Sequence, residues 1–180
     1  SSLFSDHGNS STLSNEFGHL DGLLHNAAML GALTPLDYYD TTMWFQVMQV
    51  NLNAPFLLTK ACLPLLRKAA DASVIYTSSS VGRKGRAYWG AYAVSKFGIE
   101  GMAQVLADEL ETNTNIRVNT INPGGTRTGM RSSAFPGEDP ATLPTPEQIM
   151  PLYLYLMGAD GRRIYGQRLN AQDTQFSLAY

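Results

Sequence analysis

Tyr92 and Lys96 stand four residues apart in GAYAVSKFG (90–98), a separation that puts both on one face of a helix. A lysine ammonium beside a phenol favours the phenolate and lowers the tyrosine pKa. A helix N-terminus adds partial positive charge in the same sense. A tyrosine tuned in this way can exchange a proton with an alcohol or a carbonyl near neutral pH. Ser79, at the end of a β-branched stretch, could hold the same substrate oxygen. The bland reading of the pair is two ordinary residues on an exposed helix face.

Around these residues the chain alternates strand and helix patterns. LDGLLHNAA (20–28) is a short apolar run, ASVIYTSSS (72–80) a β-branched strand ending in serines, and NIRVNTINPGG (115–125) a third strand closed by Pro and Gly. Helical stretches are expected over 41–68, 91–111 and 145–158, the last with Thr145 as N-cap and Pro146 opening it. Residues 1–12 read as a flexible lead-in, with irregular chain continuing to about residue 19. Residues 126–145 read as a long loop without periodicity, and 165–172 as a last short strand. The alternation predicts one domain over 1–180, an α/β, doubly wound parallel sheet in three layers, α/β/α and Rossmann-like. In such sheets ligands bind beyond the carboxyl ends of the strands, here HNAA, TSSS and NPGG.

The helix before the serines has its own irregularity. Pro55 in VNLNAPF has no N–H to give the Asn51 carbonyl. A kink is expected there, with a free backbone acceptor at Asn51 that could hold a water. A tolerated proline kink without function is the alternative.

Composition narrows the class further. Apolar residues make up 44% and charged residues 16% of the 180, with a net charge of −2 and a pI near 5.9. No basic surplus suggests nucleic acid as a partner. No apolar run approaches the roughly 18 residues of a membrane span, and no signal peptide is visible. Cys62 is the single cysteine, so no intrachain disulfide can form, and a reducing cytoplasm is the expected location. His7, His19 and His25 lack metal-ligand spacing, so no metal site is expected.

Together HNAA, VNLNAPF, TSSSVG, YAVSK and NPGGTRT, in this order, resemble the short-chain dehydrogenase/reductase family over about Leu20 to Ala171. Within it, TSSSVGRKGRAYWGAYAVSK and NPGGTRTGMRSSAFPGEDP are most similar to a bacterial group of oxidoreductases, the YciK type. The resemblance selects Ser79, thirteen residues before Tyr92, over its neighbour Ser80. It implies that Tyr92 is the acid/base and that Ser79 polarises the substrate oxygen. Lys96 would lower the Tyr92 pKa and bind the nicotinamide ribose. Asn51 would hold a water in a proton relay to Lys96. Asn26 and Ala28 would lie on the adenosine side of the cofactor, and Pro123, Gly124, Thr126 and Thr128 along the nicotinamide. His25 and Ala28 depart from the family's Asn-Asn-Ala-Gly pattern.

The implied function is hydride transfer between NAD or NADP and a small carbonyl or alcohol substrate. A homodimer or homotetramer is expected. Ala93, Gly98 and Gly101 would allow close helix packing, across a dimer or within the chain. Trp89 and Tyr88 are expected to border the substrate, and Arg127 and Arg131 are either anion contacts or ordinary surface arginines. No glycine-rich turn follows a strand, so the expectation is an N-terminally truncated domain lacking the family's first strands, with LDGLLHNAA as an exposed edge. Two alternatives stand beside the reductase. One is a non-catalytic relative acting through its surfaces. The other is an epimerase or dehydratase of the extended type, which would carry a larger C-terminal substrate domain.

Overall fold

The computed structural model describes residues 8–173. Four strands form one parallel sheet in the order β1-β2-β3-β4: β1 Gly22–His25, β2 Ala72–Thr77, β3 Ile116–Asn122 and β4 Arg168–Asn170. β2 and β3 are the central pair, in register from Ala72 with Ile116 to Thr77 with Ile121. Every residue of β2 is buried, which is why ASVIYT reads as a continuous rather than an alternating run. β1 lies at one edge, as expected, and its Leu24 is 40% exposed.

The two faces of β2 and β3 feed two cores. Val74, Tyr76, Ile116 and Val118 point toward α3 (Ala54–Leu66) and α4 (Gly90–Leu110), against Leu66, Ile99 and Leu106. Ile75 and Ile121 point the other way, onto Ile149, Leu152 and Leu156 of α6 (Pro146–Met157). Helices therefore cover both faces, the three-layer arrangement that the alternating pattern predicts. Thr145 and Gln148 close the capping box that starts α6.

Four expectations are corrected. Of the lead-in, residues 1–7 lie outside the described residues, and Gly8–Phe17 forms a helix, α1. The stretch 41–68 is not one kinked helix. It is α2 (Thr41–Met48), a π-helical turn Gln49–Asn53, and α3. Pro55 cannot complete the α-ladder at Asn51, and the chain shifts register so that Ala54 N–H donates to the Gln49 carbonyl, five residues back. The loop 126–145 holds a short helix, α5 (Gly129–Ala134), capped by Thr128, and a 3-10 turn Pro140–Thr142 capped by Asp139. At the end of the chain only Arg168–Asn170 pairs as strand.

Candidate active site

The carboxyl ends of β1, β2 and β3 open into one cleft of about 720 Å³. Asn26, Ala28, Ser79, Tyr92, Lys96, Pro123, Gly124, Thr126 and Thr128 all line it. Asn51 does not line it and sits behind, 1% exposed.

The centre is built by three elements meeting. β2 ends at Thr77, and the chain turns through a 3-10 turn, Ser80–Gly82, with Ser79 as its N-cap. That turn presses onto α4 because Gly82 has no side chain: a Cβ there would stand 2.8 Å from the Lys96 Cβ and 2.9 Å from its carbonyl. The close approach brings the Ser79 hydroxyl to the Tyr92 phenol, where it draws the phenol's pKa down. Burial acts more strongly, and the net position of Tyr92 is above its ordinary value. The lowering expected from Lys96 is not seen, because the Lys96 ammonium is aimed elsewhere. It donates to the Thr77 carbonyl at 2.7 Å and lies 5.6 Å from the Tyr92 ring centre. Burial lowers the Lys96 pKa to about 8, and no carboxylate among the described residues pairs with it.

The Asn51 side chain joins two parts of the fold. Its Oδ1 accepts from Met29 N–H at 2.8 Å, and its Nδ2 donates to the Met29 carbonyl at 2.9 Å and to Ser95 Oγ at 3.1 Å. The side chain thereby ties the segment after β1 to α4.

The flanking segments are equally fixed. Asn26 Oδ1 accepts from Thr77 Oγ1 at 2.9 Å, which joins the ends of β1 and β2. Gly124 takes φ +73°, a left-handed angle that favours glycine, and a Cβ there would lie 2.5 Å from Gln172 Nε2. That Nε2 donates to the Pro123 and Gly125 carbonyls at 2.9 and 2.8 Å, pinning the NPGG turn. Thr126 Oγ1 faces the Pro123 and Gly124 carbonyls, and the Thr128 hydroxyl caps α5.

Two contributors receive no role from the motifs. Glu100, 3% exposed, accepts from Arg83 Nε at 3.0 Å, Arg168 Nε at 2.9 Å and Thr120 Oγ1 at 3.1 Å. Burial pushes its pKa up, but the hydrogen bonds and both guanidiniums outweigh that and hold it below the usual range. It continues the Tyr92–Lys96 spacing by four more residues, a signal the sequence did carry. His25 stacks on Tyr76 with ring centres 4.7 Å apart, and its Nε2 is 2.8 Å from Thr59 Oγ1. Burial lowers its pKa to about 4, so it is neutral at pH 7.

Arg127 and Arg131 are held by the loop itself. Arg127 donates to the Pro140 and Leu143 carbonyls, and Arg131 pairs with Glu138 through two contacts, of 2.6 and 2.7 Å. Trp89 borders the cleft, 5.7 Å from the Tyr92 ring and 5.8 Å from that of Phe135. Tyr88 does not line it. It is 60% exposed and takes φ +72°, a strained angle for a bulky residue immediately before α4.

A serine, a phenol and a buried ammonium on a parallel-sheet cleft define a class, and the comparisons agree. The chain belongs to the short chain dehydrogenase family, whose model matches residues 9–139. It is 60% identical over 156 residues to the protein called uncharacterized oxidoreductase YciK of Escherichia coli (strain K12), which covers 87% of this chain and 61% of that protein. A solved short chain dehydrogenase from Salmonella enterica serovar Typhi superposes with a TM-score of 0.91 at 56% identity, covering 93% of this chain and 69% of that one. A Shigella flexneri 2a relative, solved in complex with NADP, has a TM-score of 0.90 at 55% identity, with 93% and 70% covered. The chain thus spans about 61% of the length of the curated relative.

Proposed function

We propose that the protein is an NADP(H)-dependent oxidoreductase acting on a carbonyl or alcohol carbon, with Tyr92 exchanging the proton at the substrate oxygen. The observation that carries the reading is the convergence of Ser79, Tyr92 and Lys96 on one wall of the cleft. The residues present fit the nicotinamide half of such a cofactor. The buried Lys96 ammonium faces the cleft with one hydrogen bond among the described residues, to Thr77, which leaves donor capacity for ribose hydroxyls. The NADP-bound Shigella relative favours the phosphorylated cofactor over NAD.

Bound NADPH supplies the hydride. In reduction, the Tyr92 hydroxyl gives its proton to the substrate oxygen as negative charge develops there. Its raised pKa keeps that proton available at neutral pH. The Ser79 hydroxyl donates a hydrogen bond to the same oxygen. Lys96, charged below about pH 8, would hold the nicotinamide ribose hydroxyls beside Tyr92. Asn26 and Ala28 line the adenosine side, and Pro123, Gly124, Thr126 and Thr128 the nicotinamide side. An NADPH titration followed by nicotinamide fluorescence tests the reading. Saturable binding is expected, whereas no binding favours the non-catalytic alternative.

The second copy of a homodimer would meet α4. Val94, Phe97 and Val105 are 42%, 46% and 60% exposed along one stripe, with Gly101 open between them. Gly98 is different: a Cβ there would meet Leu52 at 2.7 Å, so it serves packing within the chain. Among the described residues no helix is long and apolar enough to cross a membrane, and a cytoplasmic location completes the proposal.

A further inference from the structure

The acceptor side of the cleft differs in character from the centre. Leu30, Trp89, Met130, Ala134, Phe135 and Met150 form an apolar wall. Among the described residues no Asp or Glu lines the cleft, while three cations do: Lys96, Arg131 and Arg86. Lys96 belongs to the proton-handling centre. Arg131 is neutralised by Glu138 and lies 3.8 Å over the Phe135 ring. Arg86 pairs with no carboxylate among the described residues. Its guanidinium rests 5.5 Å from the centre of the same Phe135 ring, at the exposed mouth. From Tyr92 the path runs over Trp89 and Phe135 to Arg86, in steps of 5.7, 5.8 and 5.5 Å.

We propose that the substrate is an organic carboxylate with an apolar, aromatic or cyclic body. Its carbonyl or alcohol carbon lies at Tyr92, its body along Trp89 and Phe135, and its carboxylate on Arg86. This rests on the reading of Tyr92 above. The apolar wall rewards a ring or alkyl body by removing its surface from water. It offers a sugar or another polyol little in return for desolvating its hydroxyls. The guanidinium fork matches a carboxylate with two parallel hydrogen bonds, and the cation–π contact with Phe135 keeps it beside the wall. With no acidic residue on the lining among the described residues, an incoming anion meets no like charge there.

Calorimetric titration of the protein saturated with NADP+ tests this. The probes are a panel of aryl and cyclic keto acids, each beside its methyl ester. Saturating NADP+ keeps the cofactor's phosphates from being the anion that is read. At least one acid should bind about tenfold tighter than its ester. That preference should shrink between about 50 mM and 500 mM salt. It should be lost in Arg86→Gln, an exposed substitution that leaves the core untouched. Equal binding of every acid and its ester, no binding of any acid, or a preference that survives Arg86→Gln would each overturn the carboxylate assignment. Failure of NADP+ itself to bind would instead overturn the reading of the site as an oxidoreductase.

Discussion

Lowering the pH should weaken the protein through His25 before most other groups respond. The imidazole ends β1, stacks on Tyr76 at an interplanar angle of 10°, and bonds Thr59, whose hydroxyl is 2.7 Å from the Tyr76 hydroxyl. Burial pushes the Tyr76 pKa up to about 12, so the phenol is neutral and cannot stabilise an imidazolium beside it. The folded pKa of His25 is about 4, against 6.5 for the free side chain. As pH falls through 6.5 the unfolded chain takes up a proton that the folded chain refuses until about pH 4. Stability is therefore complete above 6.5 and is lost between these two values. At about 1.4 kcal/mol per pKa unit the full loss is about 3 kcal/mol, of which about 2 kcal/mol is gone by pH 5. That is a large part of the roughly 5–15 kcal/mol typical of a domain. Urea unfolding at pH 7 and pH 5, on the native protein and on His25→Asn, isolates the contribution. The variant should start less stable, having lost the stack, but fall by about 2 kcal/mol less between the two values. Parallel losses in the two proteins would refute the reasoning. The effect reaches the site, because Asn26 follows His25 directly and is held by Thr77.

Two further outcomes follow from burial and exposure. Glu100→Gln leaves Arg83 and Arg168 facing a neutral amide. The cost expected in urea unfolding is about 3 kcal/mol, the low end for a broken buried pair because both arginines keep some contact with water. Unchanged stability would contradict a central role for this network. Val105→Glu places a charge in the exposed α4 stripe and should convert a dimer to monomers in light scattering after size exclusion, with the fold retained by circular dichroism. A monomeric native protein would remove the α4 interface altogether.

Much of the fold is legible along the chain because its signals are local. The buried run ASVIYT, the Thr145-Pro146 helix start and the strand-ending NPGG each need only their neighbours to be read. The kink at Pro55 is also local, but its resolution is not. The π turn that replaces it places Asn51 where its side chain meets Met29 and Ser95, partners distant in sequence. Tyr92 shows the same limit at the site. Its position follows from spacing, but the direction of its pKa shift follows from burial and from the Lys96 ammonium turning to Thr77. Arg131 could not be read as an anion contact or a loop brace until Glu138, seven residues on, was seen to fold back onto it. Gln172, which pins NPGG, carries no pattern at all.

The most direct test of the central claim is turnover by Tyr92→Phe alongside its affinity for NADPH. The phenyl ring keeps the packing against Trp89 and removes only the hydroxyl that handles the proton. NADPH-dependent reduction of an accepted carbonyl substrate should fall by about two to four orders of magnitude, while NADPH binds with nearly native affinity. Turnover at the native rate would contradict the assignment of Tyr92 as the group that exchanges the proton.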